Sequence, residues 1–356
     1  MAVLPARTLA ETPSAAGFAM PAECAPHERT LMAWPVRVDL WGDGLAEARR
    51  DYATIANAIA AFEPVLMVAP PGETSEARSA CGDGVEIVEL PIDDSWIRDS
   101  GPIFVTSSDG SRRAGVDFRF NGWGEKFTPF DRDDALPAAL LAHLGTDRFE
   151  APLVLEGGAI TVDGEGTLVT TEQCLLNPNR NPTLGRGEIE ALLRDYLGAE
   201  KVIWLPHGLL EDHDTDGHVD NVAAFVSPGR VLLQTAPPGS PNHERLAENA
   251  ELLRSSTDAR GRPVEVVELE ALPTTQVRGE LGNVPYTNLY AANGAVFVPV
   301  AGDDPDRDAE VVKMLASLYA PREVVTVPGR MLAEGGGGVH CITQQVPAAE
   351  PEDSHA

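Results

Sequence analysis

The 356-residue chain is 43% hydrophobic and carries a formal net charge of −28, from 55 acidic against 27 basic side chains, so it has the apolar material for one large or two ordinary domains. That charge excludes nucleic acid and anionic membrane as partners, because phosphate would be repelled, and it admits a small cation. No apolar run approaches eighteen residues, and the four cysteines (Cys24, Cys81, Cys174, Cys341) lie far apart without C-x-x-C spacing, which excludes a spanning helix and a cysteine-ribbon metal site.

Pro5, Glu11 and Pro13 interrupt every apolar stretch before Gly17; the segment lacks the core of an export signal and is expected to be a mobile leader (1–17) of a cytoplasmic protein. A single domain is expected over 18–347, with an acidic tail at 348–356. Helical periodicity predicts helices over Leu45–Phe62, Asp134–Leu144, Arg186–Leu197, Asn242–Ser256 and Asp306–Tyr319. Short β-like runs follow each: PVLMV, VEIVEL, GPIFVT and AGVDFRF after the first, PLVLE, GAITV and TLVTT after the second. The third is followed by KVIWLP, VDNVAAFV and RVLLQT, the fourth by VEVVEL, YTNLYAA and AVFVPV, the fifth by REVVTV and VHCITQQ. One unit, a helix plus about three strands, is thus used five times. Turns such as VDGEGT, SPGR and AANGA imply antiparallel hairpins, which argues against an open doubly wound sheet and for a closed α/β ring with helices outside.

Chemistry-bearing residues recur at one place in that unit. SWIRDSGP precedes IFVT, LEGG precedes AITV, DGHVDN opens AAFV and GGGGVHC opens ITQQ. Asp99, Glu156, His218 with Asp220, and Cys341 are therefore expected to converge on one axis, whereas the fourth unit shows PYTNLYAAN and no acid or nucleophile there. Glycine next to these positions lets neighbouring backbones approach closely.

A cysteine, a histidine and three carboxylates suit attack on a guanidinium carbon, a poor electrophile that is permanently cationic. A thiolate from Cys341 is the soft nucleophile. Asp99 and Asp220 can each accept forked N–H bonds and compensate the buried charge. His218 can protonate departing ammonia and later take a proton from water, with Glu156 orienting the imidazole and raising its pKa. Taken singly, each residue also has a plainer reading: Asp99 a turn cap, Glu156 a solvated loop acid, H-x-D a pair of metal ligands, Cys341 an inert core thiol.

Those residues sit in motifs that resemble the agmatine deiminases, within the Porphyromonas-type peptidylarginine deiminase group and the guanidine-modifying pentein superfamily. The motifs are MPAECAPHERTLMAWP, DDSWIRDSGPIFV, FRFNGWGEKF, LEGGAITVDGEGTLVTTEQCLLNPNRNP, LPHGLLEDHDTDGHVDN, NLYAANGAVFVPVAGD and GGGGVHCITQQ, spread over nearly the whole chain. The resemblance implies a five-bladed α/β propeller with pseudo-fivefold symmetry and hydrolysis of agmatine to N-carbamoylputrescine and ammonia, without cofactor or metal. It carries the nucleophile onto Cys341, the acid/base onto His218, guanidinium binding onto Asp99 and Asp220, and the histidine's partner onto Glu156. Trp96 falls where the family packs an indole along the substrate's alkyl chain. Two positions depart from the pattern: Cys24 stands where tryptophan is usual, and Gly338 where asparagine is usual.

The expected partner is a small cationic guanidine, with no nucleic acid and no membrane; a homo-oligomer is compatible with the sequence. Other guanidines (arginine, peptidyl arginine, a methylated guanidine), amidino transfer and a noncatalytic pentein binding module are the alternatives. Between agmatine and arginine, LLEDHDTDGH decides: Glu211, Asp212, Asp214 and Asp216 stand there with no base but His213, which suits an ammonium, and Asp214 is the expected amine partner.

Overall fold

The computed structural model describes residues 6–270, 272, 274–277 and 280–349. Five helices stand where the apolar spacing predicts them, at Leu45–Ala60, Leu136–Leu144, Arg186–Leu197, His243–Ser255 and Pro305–Leu318. Their buried faces follow helical spacing, as Ile189, Leu193 and Leu197 do. Side chains close orphan donors at the ends: Asp304 Oδ1 accepts from Arg307 N at 3.1 Å, with Pro305 at the first helical position.

Five sheets share one plan, a hairpin followed by a helix and a strand returning parallel to the hairpin's second strand. In chain order the hairpins are Ile103–Ser107 with Arg113–Arg119, Ile160–Val162 with Thr167–Thr171, Ala223–Ser227 with Arg230–Gln234, and Tyr290–Ala292 with Ala295–Val300. The returning strands are Asp147–Val154, Lys201–Leu205, Glu265–Leu269 and Glu323–Pro328. In the fifth sheet the antiparallel pair joins distant segments: Gln344–Pro347 lies against His27–Ala33, which then pairs in parallel with Val65–Ala69, itself parallel to Val85–Glu89. A further hairpin, Thr274–Val277 with Glu280–Asn283, stands apart from these. Helix faces seal the sheets and join neighbours: Ile55 and Ile59 share a cluster with Met32, Val65 and Met67 of their own sheet and Phe297 of another. Each such fully buried side chain contributes about 2 kcal/mol.

Two sequence expectations change. The predicted unit begins at its helix, but the sheets are phased differently, because a strand that follows a helix packs back in parallel on the strand before that helix. Val65–Ala69 and Val85–Glu89 therefore belong with His27–Ala33, while Ile103–Ser107 opens the next sheet. Within the leader expected at 1–17, the described residues 6–17 contact the domain: Thr8–Leu9 pairs in parallel with Arg148–Phe149, and Ser14 N donates to Asp195 O at 3.0 Å. Of the acidic tail, Ala348 N donates to Pro26 O at 2.8 Å; residues 1–5 and 350–356 lie outside the described residues.

Candidate active site

Every sheet hands its functional residue to the chain two to five positions before its hairpin's first strand. Asp99 lies on a single turn, Ile97–Ser100, ahead of Ile103; Glu156 precedes the turn Gly157–Ala159 and Ile160. His218 and Asp220 flank Val219 ahead of Ala223, and Cys341 precedes Gln344. The fourth sheet, where the sequence shows neither acid nor nucleophile, places Asn288 ahead of Tyr290. These turns are tight enough to need a bare backbone: a Cβ on Gly158 would come within 2.6 Å of His218 Nδ1 and 2.9 Å of both Asp220 Oδ2 and Asp99 Oδ1.

The glycine run serves the same purpose around the nucleophile. A Cβ on Gly335 would meet Trp41 at 2.2 Å, on Gly336 Asp214 Oδ2 at 2.6 Å, and on Gly337 Trp96 at 2.6 Å and Cys341 Sγ at 3.2 Å. On Gly338 it would meet Asn288 Oδ1 at 2.4 Å. Each glycine thus admits a different wall of the site. The departure at position 338 opens no gap, because the Asn288 amide fills the space. At Cys24, the other departure, the thiol lies 4.0 Å from Val226 O.

Cys341 is buried, and its Sγ receives Asn288 Nδ2 at 3.2 Å and Gly338 N at 3.4 Å, with Asp220 Oδ2 at 3.5 Å. Burial, with Asp220 and Asp99 close by, pushes this thiol well above its usual pKa; the Gly338 and Asn288 donors work the other way. Asn288 is itself fixed, its Nδ2 donating to Asn221 Oδ1 at 3.0 Å and its Oδ1 accepting His340 N at 2.9 Å.

Asp99 is pinned from two sides: Gly158 N donates to Oδ1 at 2.9 Å and Trp123 Nε1 to Oδ2 at 3.0 Å. Burial pushes its carboxyl up; His218 opposes this, and Asp220 and Glu156 add repulsion. His218 Nδ1 lies 3.8 Å from Asp99 Oδ2, and both ring nitrogens lack a hydrogen-bond partner. Burial acts against the imidazolium, but Asp99, Cys174 and Glu156 together raise its pKa well above the ordinary value. Glu156 makes no hydrogen bond to the imidazole. Its Oε1 takes Arg180 Nε at 2.5 Å and its Oε2 has no hydrogen-bond partner, so it acts on His218 through charge. Glu156, Cys174 and His218 do have donor atoms within 4.8 Å of one another, but the Arg180 guanidinium on Glu156 opposes a metal cation there.

A cavity reaches Cys341 between Trp96, Trp123, Phe127, Leu40 and Asp214, with Asp94 and Asp99 in its wall. Trp96 is buried and stacks on Trp41 at 5.9 Å between ring centroids. A second, more open cavity adjoins at Asp214 and Gly336, lined by Glu211, Asp212, His213 and Glu334. Among the described residues, neither lining includes Lys or Arg. Lys126 stands near, but its Nζ is taken by Asp216 at 2.6 Å and by the carbonyls of His213 and Asp214.

Three residues escaped the sequence reading: Asn288, Trp123 and His340. Trp123 has φ 55° in a left-handed run from Gly122 to Glu125, a strained conformation for a bulky side chain that the Asp99 contact helps to fix. Its signal was an indole set between two glycines.

The chain matches the model of the Porphyromonas-type peptidyl-arginine deiminase family over residues 19–347. It is 45% identical to an agmatine deiminase of Pseudomonas aeruginosa, over 95% of this chain and 97% of that protein. Among solved structures it is similar to an agmatine deiminase of Enterococcus faecalis, with TM-score 0.92 and 34% identity over 97% of this chain and 100% of that one. It is also similar to a C. jejuni agmatine deiminase bearing a cysteine-to-serine substitution with substrate bound, with TM-score 0.85 and 26% identity over 93% and 97%.

Proposed function

Because the chain belongs to the Porphyromonas-type peptidyl-arginine deiminase family, we propose that it is an agmatine deiminase, which hydrolyses agmatine to N-carbamoylputrescine and ammonia in the cytoplasm. The observation that carries the substrate choice is the cavity that ends on Cys341: carboxylates line it and, among the described residues, no arginine or lysine does. An α-carboxylate would find no counter-charge there, whereas an ammonium meets Asp214 and the acids beyond it. The five sheets are read as blades of a propeller whose axis passes through the site, since each sheet contributes a residue just ahead of its first hairpin strand.

The guanidinium lies between Asp99 and the unpartnered Asp220 Oδ1, with the alkyl chain along Trp96. Burial, with Asp220 and Asp99 close by, holds the Cys341 proton; a guanidinium between those carboxylates offsets them, and the thiol gives its proton to solvent, the thiolate facing the Asn288 and Gly338 donors. Sγ then attacks the guanidinium carbon. As the C–N bond breaks, His218 supplies the proton that lets nitrogen leave as ammonia, and a thiouronium remains on Cys341. His218 next takes a proton from water, the oxygen adds to the same carbon, and the C–S bond breaks to release the ureido product.

Ammonia release from agmatine and from arginine at equal concentration tests the substrate. Agmatine should be favoured at least about a hundredfold in kcat/KM, the discrimination of ~3 kcal/mol for a carboxylate set among acids. Comparable rates would sink the agmatine assignment while leaving the guanidine chemistry standing.

A further inference from the structure

Behind Asp220, on the side away from Trp96, a second buried charge pair has no part in the steps above. His340 Nδ1 lies 3.0 Å from Asp220 Oδ2, and its Nε2 lies 2.8 Å from Glu23 Oε2. A neutral imidazole carries one N–H and could satisfy only one of these carboxylates; the other contact would set lone pair against lone pair. With both carboxylates ionised, both nitrogens carry hydrogen. Glu23 is itself secured, accepting Ala291 N at 2.8 Å and facing the Arg98 guanidinium at 3.5 Å. Arg98 is tied to His340 O at 3.2 Å and Gln345 Oε1 at 2.7 Å. The same ring thus meets the nucleophile's neighbour on one side and a braced anion on the other.

We propose that His340 is a positioning residue: a fixed imidazolium, anchored by Glu23, that keeps Asp220 ionised and bonded through Oδ2, so that Oδ1 is left to face the guanidinium. The proposal rests on the deiminase reading for its readout in activity. Its chemical basis is the charge around Asp220. Asp99 and the Cys341 thiol lie near it, and His340 and His218 are the cations that lower its pKa. Desolvation favours a protonated Asp220, yet the His340 contact, with His218 behind it, holds its carboxyl below the usual range. Burial and Arg98 act against charge on His340, and Glu23 and Asp220 overcome them to raise its pKa. Glu23 is in turn held down to about 2, despite its own burial, by His340 and Arg98. A small cavity is lined by Glu23, Arg98, Asp220 and His340, apart from the one lined by Trp96.

Two measurements on the full chain test this. The first is the ratio of wild-type to His340→Gln kcat/KM on agmatine as a function of pH. It should be at least about tenfold at pH 7 and grow as the pH falls, because Asp220 without its cation takes up a proton at higher pH. A ratio that does not change with pH marks a structural role and overturns the proposal. The second needs no turnover: 15N NMR of the histidine rings, with His340 assigned by its loss in His340→Gln or, if that variant does not fold, by its shift in Glu23→Gln. The ring should remain doubly protonated at pH 8 in the wild type and become neutral there in Glu23→Gln. A wild-type ring neutral at pH 7, or one unaffected by Glu23→Gln, overturns it. Wild-type turnover of agmatine reports separately on the deiminase reading.

Discussion

At the scale of single residues, the site divides into groups whose type declares their chemistry and groups that act by geometry. Cys341, His218, Asp99, Asp220 and Glu156 were legible because a thiol, an imidazole and carboxylates recurred at one place in four of the five units. Asn288, Trp123 and His340 were not, since an amide, an indole or a second histidine in a loop reads equally well as a turn or core residue. Symmetry still held a clue: the fourth unit's lack of an acid marked a slot that the structure fills with Asn288. Its Nδ2, 3.2 Å from Sγ, is a donor to the thiolate rather than to the thiol, so Asn288→Ala should lower kcat about ten- to a hundredfold, with a smaller change in KM. Its thiol should also titrate higher, measured by the pH dependence of alkylation by iodoacetamide. Unchanged kcat and thiol titration would show that Gly338 N suffices.

Among the elements, helix existence was legible from apolar spacing, whereas the grouping of strands into sheets was not. Pairing is nonlocal: nothing within VLMVA says that it will lie beside HERTLMA rather than beside the strand that follows it. One short helix supports the loop that presents Trp96 and Asp99. Asp133, in the turn Asp131–Asp134, is buried and accepts Asp93 N at 2.8 Å and Asp94 N at 3.3 Å through Oδ1. Burial, with Asp94 and Asp93 nearby, pushes its carboxyl up to about 8 against those two hydrogen bonds. The folded state therefore holds a proton that the unfolded chain releases near pH 4, so this group's contribution to stability falls as pH rises from about 4 to 8 and is level beyond. Asn at 133 keeps the acceptor and removes the titration. Asp133→Asn should gain stability over the wild type across that window, at up to about 1.4 kcal/mol for each pH unit. Urea unfolding of both proteins at pH 5 and pH 8 checks it; a difference that is the same at both pH values would mean that Asp133 takes up no proton on folding.

For the whole molecule, the acidic balance of −28 is a field rather than a set of contacts, and it was legible from composition alone. Agmatine, a dication, should be drawn toward the acidic cavities. Its kcat/KM should therefore fall about threefold or more between 20 and 500 mM NaCl while kcat holds, as screening shortens the reach of the field. A flat kcat/KM would assign recognition entirely to contacts inside the cavity. The anchored leader was not legible, because a two-residue strand leaves no periodicity to read. The pairing of Gln344–Pro347 with His27–Ala33 also has a consequence for how the protein is made. Cys341 belongs to the last of the five sheets to be completed, and that sheet's second strand is translated before the hairpins of the other four. While the ribosome works through the intervening three hundred residues, His27–Ala33 lacks its antiparallel partner, a sticky edge that a nascent chain must shield. No partly synthesised chain can turn over substrate, so the appearance of activity doubles as a signal that the fold has closed.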